Sequence, residues 1–99
     1  MKKIKTSILL STYNEEKFIK KTIQEIFKHI KNSEIIIVDD NSTDQTVKII
    51  ESLTYKNLQL HKRNNRGLAS AFLLALINSS GNQIGWIDSN MNTLIKKFP

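Results

Sequence analysis

Cysteine is absent from the 99-residue chain, which excludes disulfide bonds, thiolate metal sites and redox chemistry by thiols. The rest of the composition, with 39% hydrophobic and 24% charged residues, is typical of a globular protein and far from that of a disordered chain. A chain of this length makes at most one small domain, so we expect a single packed core for residues 1–99.

Long hydrophobic runs are absent as well. The longest apolar stretches, such as Ile35–Val38 and Ala71–Ile77, are much shorter than the roughly 18 residues that cross a bilayer. The basic segment Met1–Lys5 resembles the start of a signal peptide, but the apolar run after it ends at Leu10, too early for one. We therefore expect a cytoplasmic protein, with the cytoplasmic face of a membrane as an alternative location.

Arginine is scarce among the charged residues. Of the 15 basic side chains 13 are lysines, and the net charge is +6. A positive chain favours phosphate groups, nucleic acid or an anionic membrane surface as partners. Nucleic acid is disfavoured, because the lysines are spread over both ends and the first predicted helix, with no arginine-rich stripe and no aromatic residues between them.

Segments of two hydrophobic periods alternate along the chain and indicate the fold class. The spacing predicts four strands, over Ile4–Leu10, Ile35–Val38, Asn57–His61 and Gln83–Ile87. Helices are expected between them, the first from Phe18 to Ile30, the second over Thr43–Leu53 and the third marked by Leu68, Phe72, Ala75 and Leu76. The order β-α-β-α-β-α-β predicts an α/β fold, in which right-handed crossovers give a parallel sheet with helices on both faces.

The helix ends carry familiar capping residues. Asn14 can cap the first helix, Ser42–Gln45 matches a capping box for the second, and Gly81 can close the third in a left-handed conformation. The buried face of the second helix would consist of Val47, Ile50 and Leu53.

Polar loops follow all four strands. In a parallel α/β sheet the ligand lies beyond the carboxyl ends of the strands, where the strand order reverses. With the strand order 3-2-1-4, the ends of strands two and four are two strand spacings apart, roughly 10 Å, which leaves room for a nucleotide. The four loops are Ser11–Glu15, Asp39–Ser42, Lys62–Gly67 and Asp88–Asn90.

Two aspartates follow apolar strands directly, and a charge in such a position needs a partner. Asp39 comes after Ile35–Val38, and Asp88 comes after Trp86 and Ile87. A divalent cation at Asp88 would neutralise a nucleoside diphosphate, and carboxylate and amide oxygens are hard donors that suit Mg²⁺ or Mn²⁺.

Other loop residues allow a purely structural interpretation. Asp40–Thr43 can serve as a helix cap alone, and Gly67 can ease a tight turn rather than let a diphosphate approach the backbone. His29 and His61 have no second histidine or cysteine at ligand spacing, so surface or packing roles are expected for both.

Four motifs, in order, resemble those of family 2 glycosyltransferases and cover nearly the whole chain. Ser11–Glu16 resembles the family's Pro-Thr-Tyr-Asn-Glu opening, and Ile36–Asp44 resembles its Val-Asp-Asp-Asn-Ser-x-Asp segment. Arg63–Ala71 is similar to the glycine-containing helix start of the polyprenyl-phosphate mannosyl- and glucosyltransferase branch. Asp88–Asn90 occupies the place of the Asp-x-Asp metal motif.

The resemblance implies the nucleotide-binding half of a GT-A-type, Rossmann-like domain that binds a UDP- or GDP-sugar donor with Mg²⁺ or Mn²⁺. It also implies a polyprenyl phosphate at a membrane surface as candidate acceptor. By position in the motifs, the nucleotide-binding residues would be Thr12, Tyr13 and Glu15 at the nucleoside, Asp39 and Asp40 at the base or ribose, and Arg66 and Gly67 near the phosphates. The metal ligands would be Asp88 and Asn90.

Two residues depart from the family motifs, since Ser11 stands where proline is usual and Asn90 where a second aspartate is usual. The neutral Asn90 carbonyl should lower the affinity for the cation. The acceptor-binding half and the catalytic base of the family are expected beyond residue 99, so this chain alone is expected to transfer no sugar.

Two alternatives remain open at this level. Asp39, Asp40 and Asp88 also resemble the acidic pair and phosphoacceptor of a signalling receiver domain, although receivers begin at the acidic strand and would leave residues 1–33 unexplained. The other alternative is a non-catalytic nucleotide-binding relic of a transferase.

Overall fold

The structure is a computed structural model that describes residues 4–64 and 67–88. Within these ranges the chain forms alternating strands and helices, as predicted. The strands are β1 (Thr6–Thr12), β2 (Ser33–Asp40), β3 (Leu58–Arg63) and β4 (Gln83–Asp88). The helices are α1 (Ile19–His29), α2 (Thr46–Ser52) and α3 (Leu68–Ile77). In the described ranges, no helix is long and apolar enough to cross a membrane.

The sheet is parallel and has the predicted strand order, β3-β2-β1-β4. β1 lies between β2 and β4, with Thr12 opposite Asp39 and Ser11 opposite Asp88. The carboxyl ends of β2 and β4 therefore lie at the same edge of the sheet, which we call the carboxyl rim. This is the edge at which the sequence places the ligand.

Two hydrophobic layers cover the sheet, one on each face. Ile8 and Ile35 belong to the layer formed with α1 and α2, whereas Leu9 and Ile36 belong to the layer formed with α3. The side chains of Ile35–Val38 are all fully buried, as expected for a strand covered on both sides. Burial of each large aliphatic side chain contributes roughly 1.5–3 kcal/mol. The central strands thus give the carboxyl rim a rigid base.

Every strand continues one or two residues beyond the end that its hydrophobic pattern predicts. β1 continues to Thr12, β2 to Asp40, β3 to Arg63 and β4 to Asp88. Backbone pairing continues through these polar residues, because the ladder joins peptide groups and does not depend on apolar side chains. The first residues of the predicted loops are consequently fixed to the sheet.

The predicted cap of α1 is wrong. The helix begins at Ile19 after a turn, in which Glu15 O accepts hydrogen bonds from the amides of Phe18 and Ile19. Asn14 instead adopts a left-handed conformation with φ of 52°, and its Oδ1 accepts hydrogen bonds from the amides of Thr43 and Asp44. Asn14 therefore connects two loops rather than starting a helix.

The capping box predicted for α2 is also wrong, and the helix begins at Thr46 rather than Thr43. The Ser42 hydroxyl donates to Asp39, while Asp44 Oδ1 accepts from the amide of Thr46 at 2.9 Å. Of the predicted buried face, Ile50 is buried and Val47 is half-buried, and fully buried Thr46 takes a place in it. Leu53, just past the helix, is half-buried against the same layer.

Gly81 does not close α3, since the helix ends before Asn78 and Gly81 has no positive φ. It packs against β1 instead, where its amide donates to Ser7 Oγ at 2.8 Å. A Cβ atom at this position would lie 2.8 Å from the backbone nitrogen of Ser7. Glycine is needed here for close approach between two backbone segments.

Candidate functional site

Asp39 is the central polar residue of the carboxyl rim. Its side chain is buried, and its carboxylate accepts hydrogen bonds from Thr12 Oγ1 at 2.5 Å, Ser42 Oγ at 2.6 Å and the Ser42 amide at 2.9 Å. The hydrogen-bond donors that a buried carboxylate needs thus come from β1 and from the loop after β2. These bonds hold the loop against the end of the sheet.

A cavity of about 350 Å³ opens beside Asp39, between the ends of β2 and β3 and the start of α2. Its volume is at the lower end of the range for small-molecule sites. The wall combines a carboxylate, two cations and amide side chains with one apolar residue. The described lining residues are Asp39, Asn41, Ser42, Val47, Lys62, Arg63 and Asn64.

Arg63 binds the carboxylate of Asp40 next to this cavity. Arg63 Nε lies 2.5 Å from Asp40 Oδ1 and Nη2 lies 3.3 Å from Oδ2, with only 13% and 12% of the two side chains exposed. The same guanidinium donates to Gly67 O at 2.8 Å and to Ser70 Oγ at 2.9 Å. Arg63 therefore connects the ends of β2 and β3 to the start of α3, as its planar fork of donors allows.

The loops after β1 and β2 are joined by further hydrogen bonds. The amide of Asn14 donates to Ser42 Oγ at 2.9 Å, the amide of Glu15 donates to Thr46 Oγ1 at 2.8 Å, and Glu16 Oε1 accepts from the Gln45 amide at 2.9 Å. Left-handed backbone at Asn14 and at Asn41, with φ of 61°, makes these tight turns, and asparagine tolerates this conformation well. The wall of the cavity is thus ordered by neighbouring protein groups.

Asp44 belongs to the same loop contact. Desolvation raises the pKa of its carboxyl, but hydrogen bonds from the Thr46 hydroxyl and amide and from the Glu16 amide outweigh this effect, so the pKa lies below its ordinary value of 3.8. The charged form is the one that accepts these bonds. Asp44 therefore fixes the start of α2 as a carboxylate.

Of the residues predicted to contact the nucleoside, Asp39 lines the cavity, whereas Thr12, Tyr13, Glu15 and Asp40 are not among its described lining residues. Thr12 is buried and supports Asp39, while Tyr13 is 37% exposed at the carboxyl rim and Glu15 is half-buried. Asp40 is engaged by Arg63, so a nucleotide would have to compete with this ion pair. Their roles in nucleotide binding stay predictions.

The predicted phosphate and metal residues lie mostly outside the described part of the chain. Arg66, Asn90 and the side chain of Asp88 fall outside it, while the Asp88 backbone ends β4 opposite Ser11 and the Gly67 carbonyl binds Arg63. Among the described residues, no group of three or more histidine, cysteine, aspartate or glutamate side chains could hold a metal ion.

Both histidines have ordinary surroundings. His29 is exposed on α1 with Nε2 3.5 Å from Glu25 Oε1, and the half-buried ring of His61 lies 3.0 Å from Gln59 Oε1. Neither histidine is among the described residues that line the cavity.

Arg63 is the residue that sequence reasoning missed. The sequence places it in a polar loop and assigns the phosphate role to Arg66 instead. Asp40 and Arg63 are register partners on neighbouring strands, and opposite charges in such positions attract. Aligning β2 with β3 in the predicted strand order would have identified the pair.

Comparison with known proteins identifies related enzymes. Dolichol-phosphate mannosyltransferase of Saccharomyces cerevisiae is 28% identical over 96 residues, which are 89% of this chain and 36% of the yeast sequence. The structure of Staphylococcus aureus TarS in complex with UDP-GlcNAc superposes with a TM-score of 0.78 at 32% identity and covers 87% of this chain. A mannosyltransferase from Pyrobaculum calidifontis, in complex with GDP-Man and Mn²⁺, gives a TM-score of 0.78 at 25% identity over 89% of this chain.

These proteins are much longer than the present chain, which spans 26% of the TarS chain and 28% of the Pyrobaculum chain. The parallel sheet with helices on both faces is shared with them and has the GT-A fold. The model of the family described as Glycosyl transferase family 2 matches residues 7–91. Since this match runs from β1 to just past β4, the chain belongs to glycosyl transferase family 2.

Proposed function

We propose that this chain is the donor-binding half of a glycosyltransferase and that it binds a UDP- or GDP-linked sugar at the carboxyl rim. The cavity beside Asp39 carries the proposal, because it lies at the carboxyl ends of the parallel strands β2 and β3 and has a polar wall of suitable size. The bound UDP-GlcNAc and GDP-Man of the two similar structures support the choice of ligand class.

The wall of the cavity offers groups that suit a nucleoside. Asn41 and Asn64 carry both donors and acceptors for a base or ribose, and Val47 offers an apolar contact. Lys62 brings a positive charge to the same opening. Asp39 keeps the loop that carries Asn41 in place and is itself a proposed contact of the base or ribose, and Thr12, Tyr13, Glu15 and Asp40 are the further proposed contacts.

Asp88 and Asn90 are the proposed ligands of a divalent cation. Their oxygens are hard donors, and the backbone of Asp88 ends β4 at the carboxyl rim beside β1. Bound there, Mg²⁺ or Mn²⁺ would neutralise the diphosphate of the donor. Arg66 and Gly67, at the start of α3, are the proposed neighbours of the phosphates.

The proposed acceptor is a polyprenyl phosphate at the cytoplasmic face of a membrane. The yeast relative, named for dolichol phosphate, supports this acceptor class. Transfer also requires an acceptor-binding half and a general base, which we place beyond residue 99. We therefore expect the 99-residue chain to bind the donor without transferring its sugar.

Titration of the chain with UDP, GDP, UDP-GlcNAc and GDP-Man, with and without Mn²⁺, tests donor binding through Trp86 fluorescence. Trp86 is two residues before Asp88, is half-buried and makes an edge contact with Phe72 at 5.2 Å between ring centroids. We expect saturable quenching by one nucleotide class that strengthens with Mn²⁺. Calorimetry serves as a second readout that does not depend on the position of the indole.

A matched pair of variants locates the binding. Asn64→Ala removes an amide from the cavity wall, whereas Asn57→Ala removes an exposed amide just before β3. The first should weaken nucleotide binding about tenfold, in line with the loss of a hydrogen bond to a polar ligand, and the second should leave it unchanged. Absence of binding to every nucleotide by both readouts would contradict the proposal and leave a relic that has lost its donor site.

The receiver interpretation has no support in the structure. β1 lies at the centre of the sheet and α1 covers one of its faces, so the first third of the chain is integral to the fold. The family match includes this part as well.

A further inference from the structure

Five lysines line the outer surface of α1 and its two ends. Lys17 lies in the turn before the helix, Lys20, Lys21 and Lys28 lie within it, and Lys31 follows it, and all five are exposed. We call this set the lysine row. Lys21 and Lys28, with Gln24 between them, are spaced by three and four residues, which aligns them on one side of α1, while Lys17 and Lys31 lie just beyond its two ends.

The opposite side of α1 contains its buried residues, Ile19, Ile23 and Ile26. The lysine row therefore points away from the sheet. At 1.5 Å per residue, the 11 residues of α1 span roughly 16 Å, and Lys17 and Lys31 lie beyond its two ends. This length matches an extended contact with a surface better than a site for a single small anion.

The helix that carries the lysine row has one acidic residue, Glu25, which pairs with His29 rather than with a lysine. Ion pairs within residues 4–64 and 67–88 join His29 to Glu25, Lys62 to Glu51 and Arg63 to Asp40, and none includes a member of the row. The five like charges lie within 15 consecutive residues and repel one another. A multivalent anionic partner would relieve this repulsion along the whole row at once.

Charge on the helices is confined to one side of the sheet. α1 and α2 cover one face and contain all the charged residues of the described helices, whereas residues 68–82, with α3 on the other face, include no charged residue. Within residues 4–64 and 67–88, the charges of the helices thus favour approach to an anionic surface through the layer of α1 and α2.

We propose that the lysine row is a docking surface for a bilayer that contains anionic phospholipid. A straight row of lysines without arginine or aromatic residues lacks the stacking groups typical of nucleic-acid sites, and its exposed helix offers no groove. Lysines near an anionic bilayer are each attracted to it without specific contacts, so an open row is sufficient.

Docking through α1 would also set the orientation of the carboxyl rim. Lys17 follows the β1 loop and so lies at the rim end of α1, while Lys31 lies at the other end. A bilayer that covers α1 therefore meets the carboxyl rim at the Lys17 end of the helix. The proposal rests on the charges of α1 and not on nucleotide binding, so either can fail without the other.

Cosedimentation of the full 99-residue chain with vesicles tests the proposal. One set contains phosphatidylcholine alone, and the other contains about 30% phosphatidylserine, which gives the negative surface potential that attracts lysines. We expect binding to the second set only, and its loss when about 0.5 M salt screens the charges. Binding of equal strength to both sets would overturn the proposal, as would no binding to either.

Two double variants with the same net charge separate the row from overall charge. Lys21→Gln with Lys28→Gln removes two members of the row, and Lys5→Gln with Lys56→Gln removes two exposed lysines before β1 and β3. At roughly fivefold per lysine, the first should weaken vesicle binding about 25-fold, and the second by less than about threefold. Circular dichroism checks that both variants fold.

Two outcomes contradict the assignment of this surface. Equal losses in both double variants would mean that net charge alone attracts the chain to the bilayer. Tighter binding to a DNA duplex than to the anionic vesicles, lost in the first variant only, would mean that the row serves nucleic acid instead.

Discussion

At the scale of single residues, the polar groups of the carboxyl rim are mostly engaged with one another. Asp39 was predicted to need a partner because it follows a buried strand, and it has one. The partners themselves, Thr12 and Ser42, could not be predicted, since local rules assign the Ser42 hydroxyl to a helix cap. Ser42 Oγ instead donates to the buried carboxylate of Asp39, whose charge strengthens the bond, and accepts from the amide of Asn14 rather than from an amide of α2.

Replacement of Arg63 tests the ion pair with Asp40. Arg63→Met would leave a mostly buried carboxylate without its partner, so we expect the free energy of unfolding to fall by about 3 kcal/mol. Lys62→Met is the matched control, since the neighbouring ion pair with Glu51 is more than half exposed and should contribute less than about 1 kcal/mol. Urea denaturation measures both. Similar losses in the two variants would show that the Asp40 pair has no special stabilising role.

Asp44 should make the stability depend on acid pH. Its pKa is lower in the folded chain than in the unfolded one, so its contribution is fully present above about pH 4 and disappears as the pH falls through the lower folded value. Asp44→Asn should therefore flatten the fall in melting temperature below pH 4. Glu51→Gln, which removes an exposed carboxylate from α2, should leave that fall largely unchanged. If the melting temperature of Asp44→Asn fell with pH in parallel with that of the unaltered protein, Asp44 would not be responsible for the dependence on acid pH.

At the scale of elements, the hydrophobic periods predicted all the strands and helices of the described ranges, together with their order. The errors lie at element ends. α1 and α2 begin later than predicted because Asn14, Ser42 and Asp44 bond across two loops that are 28 to 30 residues apart in sequence. Capping rules consider only neighbours in sequence, so they cannot anticipate such bonds.

Gly81 holds the connection between α3 and β4 against the sheet, and this connection is sensitive to one added methyl group. In Gly81→Ala the new Cβ would lie 2.8 Å from Ser7 N and from Thr6 C, so the backbone must move. We expect a loss of about 2 kcal/mol in the free energy of unfolding, as for overpacked sites. Asn82→Ala, at the exposed neighbouring position, should change it by less than about 0.5 kcal/mol. Equal urea midpoints for Gly81→Ala and Asn82→Ala would show that the backbone accommodates the added methyl group without a loss of stability.

The connection between α3 and β4 is also held in place by a buried carboxyl side chain. Glu34, at the start of β2, accepts hydrogen bonds from Ser7 Oγ at 2.6 Å, the Ser80 amide at 2.6 Å and Ser80 Oγ at 3.0 Å. The apolar pattern of β2 gives no indication of this anchor, because Glu34 looks like the polar boundary of a strand. Together with Gly81 it fixes where β4 enters the sheet.

At the scale of the whole molecule, the strand order and the edge of the sheet that carries the cavity followed from general rules for parallel α/β sheets. Along that edge the cavity lies between β2 and β3, whereas the sequence placed the ligand between β2 and β4. The lysine row was not anticipated as a surface, because the lysines look scattered when the chain is read linearly. They come together only when the helical period is applied to α1 and its buried side is known. The prediction of such a surface pattern requires the orientation of an element as well as its existence.

The alternation of β1 between two layers limits how this architecture can change. Neighbouring residues of β1 belong to opposite layers, with Ile8 and Leu10 on one side and Leu9 on the other. Insertion or deletion of a single residue within the strand would move every later side chain of β1 to the opposite face of the sheet. The bond between Thr12 and Asp39 would then be lost. Changes in length are therefore tolerable only after the strands end, so new specificities can arise by lengthening the loops while the sheet stays constant.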